Sequence, residues 1–132
     1  MEYVEGVNLA THATEGRMLP PRLVCEMCAR VADALYFAHQ RGIIHRDIKP
    51  ANIVFDQKNR RVRVMDFGVA RLENSRATRT GVILGSPSYM APEQLDARPV
   101  TPQSDIFSLG VTLFQLLTGM LPFRSDSIPG LM

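Results

Sequence analysis

The chain has 132 residues, 45% of them hydrophobic and 21% charged, with a formal net charge of +2. That balance describes one globular unit with enough apolar residues for a core, and so small a charge excess, without an arginine-rich run, gives no basis for a nucleic-acid partner. No long uninterrupted apolar segment and no signal-peptide pattern occurs, so no membrane segment is expected within the chain.

Residues Met1 to Gly6 open on a strand-like apolar run without a lead-in, which suggests a domain extending further toward the N-terminus. Val7 to about Ala13 reads as a short helix and Thr14 to Leu19 as a polar loop. Pro20 and Pro21 suit a helix start, where the missing N–H costs nothing. Leu23, Val24, Met27, Cys28, Val31, Leu35 and Ala38 then recur at helical spacing, predicting one long amphipathic helix that stops near Gly42. Cys25 and Cys28 have C-x-x-C spacing but lie inside that helix, with no second pair to complete a zinc site. They read as small apolar residues of a reduced, cytoplasmic protein. His39, near the apolar side, reads as a core histidine.

The stretch His45-Arg46-Asp47-Ile48-Lys49-Pro50-Ala51-Asn52 follows Ile43-Ile44 and precedes Ile53-Val54-Phe55. It is expected to be a polar loop between two short buried strands, with an acid, a cation and an amide facing one place. An Asp accepts a proton, a Lys neutralises phosphate charge and an Asn oxygen ligates a hard cation, which together suit phosphoryl transfer. Asp56 to Asn59 is a turn by composition. Val62 and Val64, alternating with Arg61 and Arg63, predict a strand with one wet face. The resulting hairpin delivers Asp66-Phe67-Gly68 to the same end as Asp47 and Asn52. Arg71 to Gly85 has little periodicity and reads as a surface segment carrying Ser75, Thr78 and Thr80 among arginines. Met90 to Leu95 suggests a brief helix. Ser104 to Thr118 is apolar on nearly every face, predicting a helix buried all round that Gly119 and Pro122 end.

In order, His45-Arg46-Asp47-Ile48-Lys49-Pro50-Ala51-Asn52, Asp66-Phe67-Gly68 and Ala91-Pro92-Glu93 resemble the catalytic loop, the magnesium motif and the end of the activation segment of eukaryotic-like (Hanks-type) protein kinases. Lys49, two residues after Asp47, resembles the serine/threonine branch. Met1 to Gly6, Gly85 to Gln94 and Ser104 to Gly110 look most like bacterial members. The resemblance covers the whole chain and implies an α+β, mainly α fold. It would be a partial kinase large (C-terminal) lobe over residues 1–132, with short β-hairpins carrying the catalytic loop and the magnesium motif. The family's glycine-rich loop, strand lysine and partner glutamate do not occur in these residues, nor do the helices that follow the central one.

Carried over by position, the resemblance implies that Asp47 takes or orients the substrate hydroxyl's proton and that Lys49 steadies the transferring phosphoryl group. Asn52 and Asp66 would hold Mg2+, or Mn2+ in its place. Met1, Glu2, Val4, Asn8, Leu9 and Val54 would surround the nucleotide of ATP, with Met1 at the back of the adenine pocket and Asn8 at the ribose. His45, Phe67, Gly68, Glu93 and Asp105 are implied structural supports. Arg46 and Arg71 would receive a phosphate on Thr78 or Thr80, with Ser75 behind them, and Ser86 would bond Asp47 and Lys49. The implied partners are ATP, a protein carrying Ser or Thr, and a second kinase copy for autophosphorylation of the activation segment. The parent would be a cytoplasmic enzyme, or one anchored through segments outside this chain. The chain alone is expected to be inactive and poorly soluble. Two other readings are a non-catalytic pseudokinase scaffold, against which the intact Asp47, Lys49, Asn52 and Asp66 argue, and a small-molecule phosphotransferase, against which Ala91-Pro92-Glu93 argues.

Overall fold

The computed structural model describes residues 6–67 and 87–123. Strand β1, Val7–Asn8, leads into a 3-10 turn over Leu9–His12 and then helix α1, Pro21–His39. Strands β2, Ile53–Asp56, and β3, Arg61–Val64, follow. Helix α2, Pro92–Leu95, and helix α3, Pro102–Thr118, complete the described elements. Helices with a small antiparallel sheet make up this fold, and none of the described helices is long and apolar enough to cross a membrane.

Helix α1 forms as its apolar spacing predicts. Val24, Met27, Cys28, Val31 and Leu35 are buried along one stripe that packs on α3 and β3. Each large side chain buried there contributes about 1.5–3 kcal/mol. The end of α1 is set by Gly42, whose φ of 75° is strained for any residue with a Cβ. Around it the Gly42 N–H donates to His39 O and the Ile43 N–H to Ala38 O, both at 3.0 Å, the bond pair of a Schellman motif.

That closure explains one departure from the sequence reading. Ile43 and Ile44 form no strand, because the Ile43 N–H is spent on the helix end rather than on a ladder. The segment after Gly6 also differs. Val7 and Asn8 do not enter a helix but pair with Phe55 and Val54, and the Asn8 side chain then caps the short 3-10 turn by accepting from Ala10 N at 2.9 Å. Instead of separate hairpins there is therefore one three-stranded sheet with β2 at its centre.

The β2–β3 hairpin is as expected. Ile53 stands opposite Val64 and Phe55 opposite Val62, so these four share the core face, while Arg61 and Arg63 are exposed on the other. Asp56 Oδ1 accepts from the Lys58 and Asn59 N–H groups at 3.1 and 3.3 Å and shapes the turn.

Helix α3 overturns the expectation of a helix buried all round. Ile106 is 52% and Phe114 44% exposed, whereas Ser104, Asp105, Ser108 and Thr112 are buried. Its inner side combines Leu109, Val111 and Leu116 with this polar stripe. A buried polar group needs partners; Thr112 Oγ1 donates to Ser108 O of the same helix at 2.9 Å, and the candidate site supplies partners for the other three.

Candidate active site

Residues 45–52 are fixed first through their backbone. The Asp105 carboxylate, 1% exposed in the first turn of α3, accepts from His45 N and Arg46 N at 2.9 Å each. His39 Nε2 lies 2.8 Å from the same carboxylate, so the expected core histidine has a partner across the α1–α3 interface. An unpaired carboxylate would be costly at this depth, and these contacts offset its lost hydration.

His45 carries the next connection. Its fully buried ring places Nε2 at 2.6 Å from Met65 O and Nδ1 at 3.0 Å from Asp47 N. A carbonyl only accepts and an amide N–H only donates, so the proton sits on Nε2 and Nδ1 accepts. The same ring meets Phe67 edge-on with centroids 4.4 Å apart. One neutral imidazole thus ties the loop to the end of β3.

On this frame the acid, cation and amide converge. Asn52 Nδ2 donates to Asp47 O at 2.7 Å and to Asp47 Oδ2 at 3.2 Å. Lys49 Nζ lies 3.5 Å from Asp47 Oδ2, in a pair that remains partly open to solvent. The Met65 N–H donates to Asn52 O at 2.7 Å, and Asp66 is the next residue along the chain. Asp66 is exposed and has a φ of 65°, a conformation that Asp tolerates better than most residues.

No cluster of three or more His, Cys, Asp or Glu suited to a metal occurs among the described residues. The side chains of Asn52 and Asp66 carry the oxygen donors that suit a magnesium ion. With Nδ2 turned to Asp47, the remaining polar atom of the Asn52 amide is Oδ1, a hard oxygen, and the Asp66 carboxylate is a second hard donor. Magnesium commonly takes one or two protein oxygens and fills its other positions with water and phosphate.

The nucleotide-side expectations fall in different settings. Asn8 Nδ2 donates to Ala51 O at 2.6 Å, holding β1 against the loop. Leu9 is buried in the core cluster, while Val54 is half-buried on the sheet. Met1, Glu2, Val4, Gly68, Arg71, Ser75, Thr78, Thr80 and Ser86 lie outside the described residues.

Residues 87–95 are docked on the polar stripe of α3. Ser104 Oγ donates to Glu93 Oε1 at 2.5 Å, and Ser108 Oγ donates to Tyr89 O at 2.6 Å. The Tyr89 hydroxyl bonds Gln115 Oε1, and burial pushes its pKa up. The Ser104 bond, aided by a backbone bond within Glu93 and by the Arg98 charge, holds the Glu93 carboxyl below its usual range. Gln94 Nε2 donates to Arg46 O at 2.9 Å, while its Oε1 accepts from Ala91 N at 3.1 Å. Arg46 itself has a φ of 77°, and its Nε is buried without a hydrogen-bond partner among the described residues.

Sequence reasoning missed Gln94, Ser104, Ser108, Tyr89 and Gln115. Two signals were present. Gln94 stands three residues after Ala91 and Ser104 three after Thr101, the N3 position from which a side chain reaches back to a helix start. Ser104, Asp105, Ser108 and Thr112 also recur at helical spacing, a polar face within an apolar helix.

A family model described as protein kinase domain matches residues 1–130. The chain is 47% identical over 131 residues to the serine/threonine-protein kinase PknB of Mycobacterium tuberculosis. It is 43% identical over 133 residues to the serine/threonine-protein kinase Pkn1 of Myxococcus xanthus, and 42% identical over 128 to PrkC of Bacillus subtilis. These matches take in 96%, 97% and 96% of the chain but 21%, 19% and 20% of the relatives, so the chain spans about a fifth of the curated proteins it matches. With the match extending over nearly every residue, and with an acid, a lysine and an asparagine gathered on one buried frame, the chain belongs to the protein kinase domain family.

Proposed function

We propose that the protein containing this chain transfers the γ-phosphoryl group of ATP to Ser or Thr hydroxyls of protein substrates, and that the chain is part of its large lobe, from hinge to central helix. The observation that carries the reading is the convergence of Lys49 Nζ and Asn52 Nδ2 on Asp47 Oδ2, at 3.5 and 3.2 Å. Phosphoryl transfer asks little covalent chemistry of a protein and much positioning.

In this reading Asp47 accepts or orients the proton of the attacking hydroxyl. The Asn52 amide and the His45 Nδ1 contact hold its carboxylate and backbone in one orientation. Lys49, already beside that carboxylate, supplies a positive charge to the phosphoryl oxygens in transit. Asn52 and Asp66 would hold magnesium, which would offset the negative charge of the phosphates during transfer. Val54 and the segment around Met1, Glu2 and Val4 receive the adenine, and Asn8 borders the ribose. Arg46, with its buried Nε, and Arg71 receive a phosphate on Thr78 or Thr80 placed there by a second kinase copy, and Ser86 bonds Asp47 and Lys49. Phe67 and Glu93 act as supports, the latter through Ser104.

The test is phosphate transfer from labelled ATP to a generic Ser/Thr-rich protein by the full-length protein with Mg2+ or Mn2+. Activity is expected, with Asp47→Ala and Asp66→Ala each reducing it by several orders of magnitude. Wild-type protein without transfer, or an Asp66→Ala variant as active as wild type, would overturn the reading. The 132-residue chain alone is expected to be inactive, because no glycine-rich phosphate loop occurs within it. Mass spectrometry of the active protein should find phosphate on Thr78 or Thr80.

A further inference from the structure

Arg46 and Asp47 share one peptide group, and the direction of that peptide decides where the Asp47 side chain is aimed. Arg46 holds it from a left-handed backbone, φ 77°, which an arginine adopts only when its surroundings enforce it. Both main-chain polar groups of Arg46 are gripped by side chains from elsewhere in the fold. Its N–H donates to Asp105 Oδ1 at 2.9 Å, and its carbonyl accepts from Gln94 Nε2 at 2.9 Å. The first grip is a buried carboxylate on α3. The second comes from α2, which directly follows Ala91.

The Gln94 amide has no freedom to turn over. Its Oε1 accepts from the Ala91 N–H, which only donates, and its Nε2 donates to the Arg46 carbonyl, which only accepts. One side chain therefore spans from the N-terminus of α2 to the peptide bond that precedes Asp47. We propose that Gln94 is a positioning residue for Asp47: it acts through the Arg46 carbonyl, and the phosphoryl-transfer step depends on its donor end.

The inference rests on the kinase reading above and deepens it by coupling α2 to the aim of the acid. It separates the two ends of one amide. A Glu at position 94 keeps the acceptor facing Ala91 N but sets a second acceptor against Arg46 O, so the cap survives and the tie is lost. A Leu loses both. Protonation of that Glu would restore a donor.

The test uses the full-length protein as wild type, Gln94→Glu, Gln94→Leu and Asp47→Ala, with kcat and KM for ATP measured from pH 8 down to pH 5.5 and thermal melting recorded beside them. For Gln94→Glu we expect kcat at pH 8 to fall about 10- to 100-fold, the range that misplacement of a reacting group produces. KM for ATP should stay within about twofold, because the nucleotide's own contacts are untouched. The ratio of its kcat to that of wild type should rise several-fold as the pH drops and the new carboxyl takes up a proton. Gln94→Leu should lose activity without that recovery. Hydrogen exchange across residues 45–49 should quicken in both variants while α3 stays protected.

A Gln94→Glu enzyme with kcat within twofold of wild type would overturn the proposal while leaving the kinase reading intact. A loss that tracks a lower melting temperature, with a pH-independent ratio, would also overturn it by assigning Gln94 a purely structural part. A wild type without transfer, or one unaffected by Asp47→Ala, would instead bring down the kinase reading and the role of Gln94 with it.

Discussion

The two long helices of this chain differ in what they bury beside their apolar residues. Helix α1 turns an apolar stripe from Val24 to Ala38 inside, with Glu26 and Arg30 and the exposed rings of Tyr36 and Phe37 outside. Helix α3 keeps Ser104, Asp105, Ser108 and Thr112 inside and leaves Ile106 and Phe114 exposed. Three of these polar groups have a defined partner outside the helix: the loop backbone for Asp105, Glu93 for Ser104 and the Tyr89 carbonyl for Ser108, while Thr112 Oγ1 donates back to Ser108 O. The difference teaches what each helix is for. Helix α1 supplies non-directional burial, which tolerates changes of shape, whereas α3 supplies directional bonds, which fix particular atoms of the loop and of residues 87–95.

The contrast is broken most severely at Asp105. In Asp105→Ala the buried N–H groups of His45 and Arg46 lose their acceptor, and His39 loses its partner. Stability should fall by about 3–5 kcal/mol, and phosphate transfer should vanish even where the chain stays folded. Urea denaturation followed by proteolysis of the full-length protein measures this, and a loss under about 1 kcal/mol would contradict the anchoring role.

Leu35→Ala tests the other helix. It removes a fully buried side chain from α1 and should cost about 3 kcal/mol by the cavity it leaves. Because α1 contributes burial rather than direction, kcat of the folded fraction should remain unchanged. A selective fall in kcat would show that the helices are not so different.

Ser108→Ala sharpens the comparison within α3. It withdraws one donor from Tyr89 O and should cost about 1–2 kcal/mol, visible as faster hydrogen exchange over residues 87–95. Unchanged exchange there would mean that the apolar contacts of Leu95 and Met90 already suffice.

The smallest effect belongs to the cysteine pair of α1. Burial, with a contribution from Cys25, pushes the Cys28 thiol from 9.0 up to about 11, while Cys25 is exposed. Iodoacetamide at pH 8 should label Cys25 and spare Cys28. The folded state holds the Cys28 proton more tightly than the unfolded state does. Its contribution to stability is therefore complete below about pH 9 and lost as the pH climbs toward 11. Equal labelling of both thiols would show that this part of the α1 stripe is open.

Much of this was legible in the chain itself, wherever the physics is local. The α1 stripe, the Gly42 stop, the Asp56 turn and the alternation of Val and Arg in β3 depend on neighbours a few residues apart, and so did the gathering of Asp47, Lys49 and Asn52. Ile43-Ile44 misled because apolar, β-branched residues suit a strand, yet the N–H that a strand needs was taken by the helix behind it. Val7-Asn8 misled in the other direction, since its pairing with Val54 and Phe55 lies almost fifty residues away.

The sequence by itself thus determined the family and the residue types that meet at the candidate site, because the acid, the lysine, the amide and the motifs beside them are carried by short runs of residues. Only the tertiary structure decided how those residues are held. Asp105 must reach His45 and Arg46, Gln94 must reach the Arg46 carbonyl, and Ser104 must reach Glu93. Hydrogen bonds are directional and short, so no periodicity along the chain announces which distant carbonyl or N–H a buried side chain will meet. Hydrophobic pattern reports that α3 is largely apolar; the partners packed around it determine which of its faces is inside.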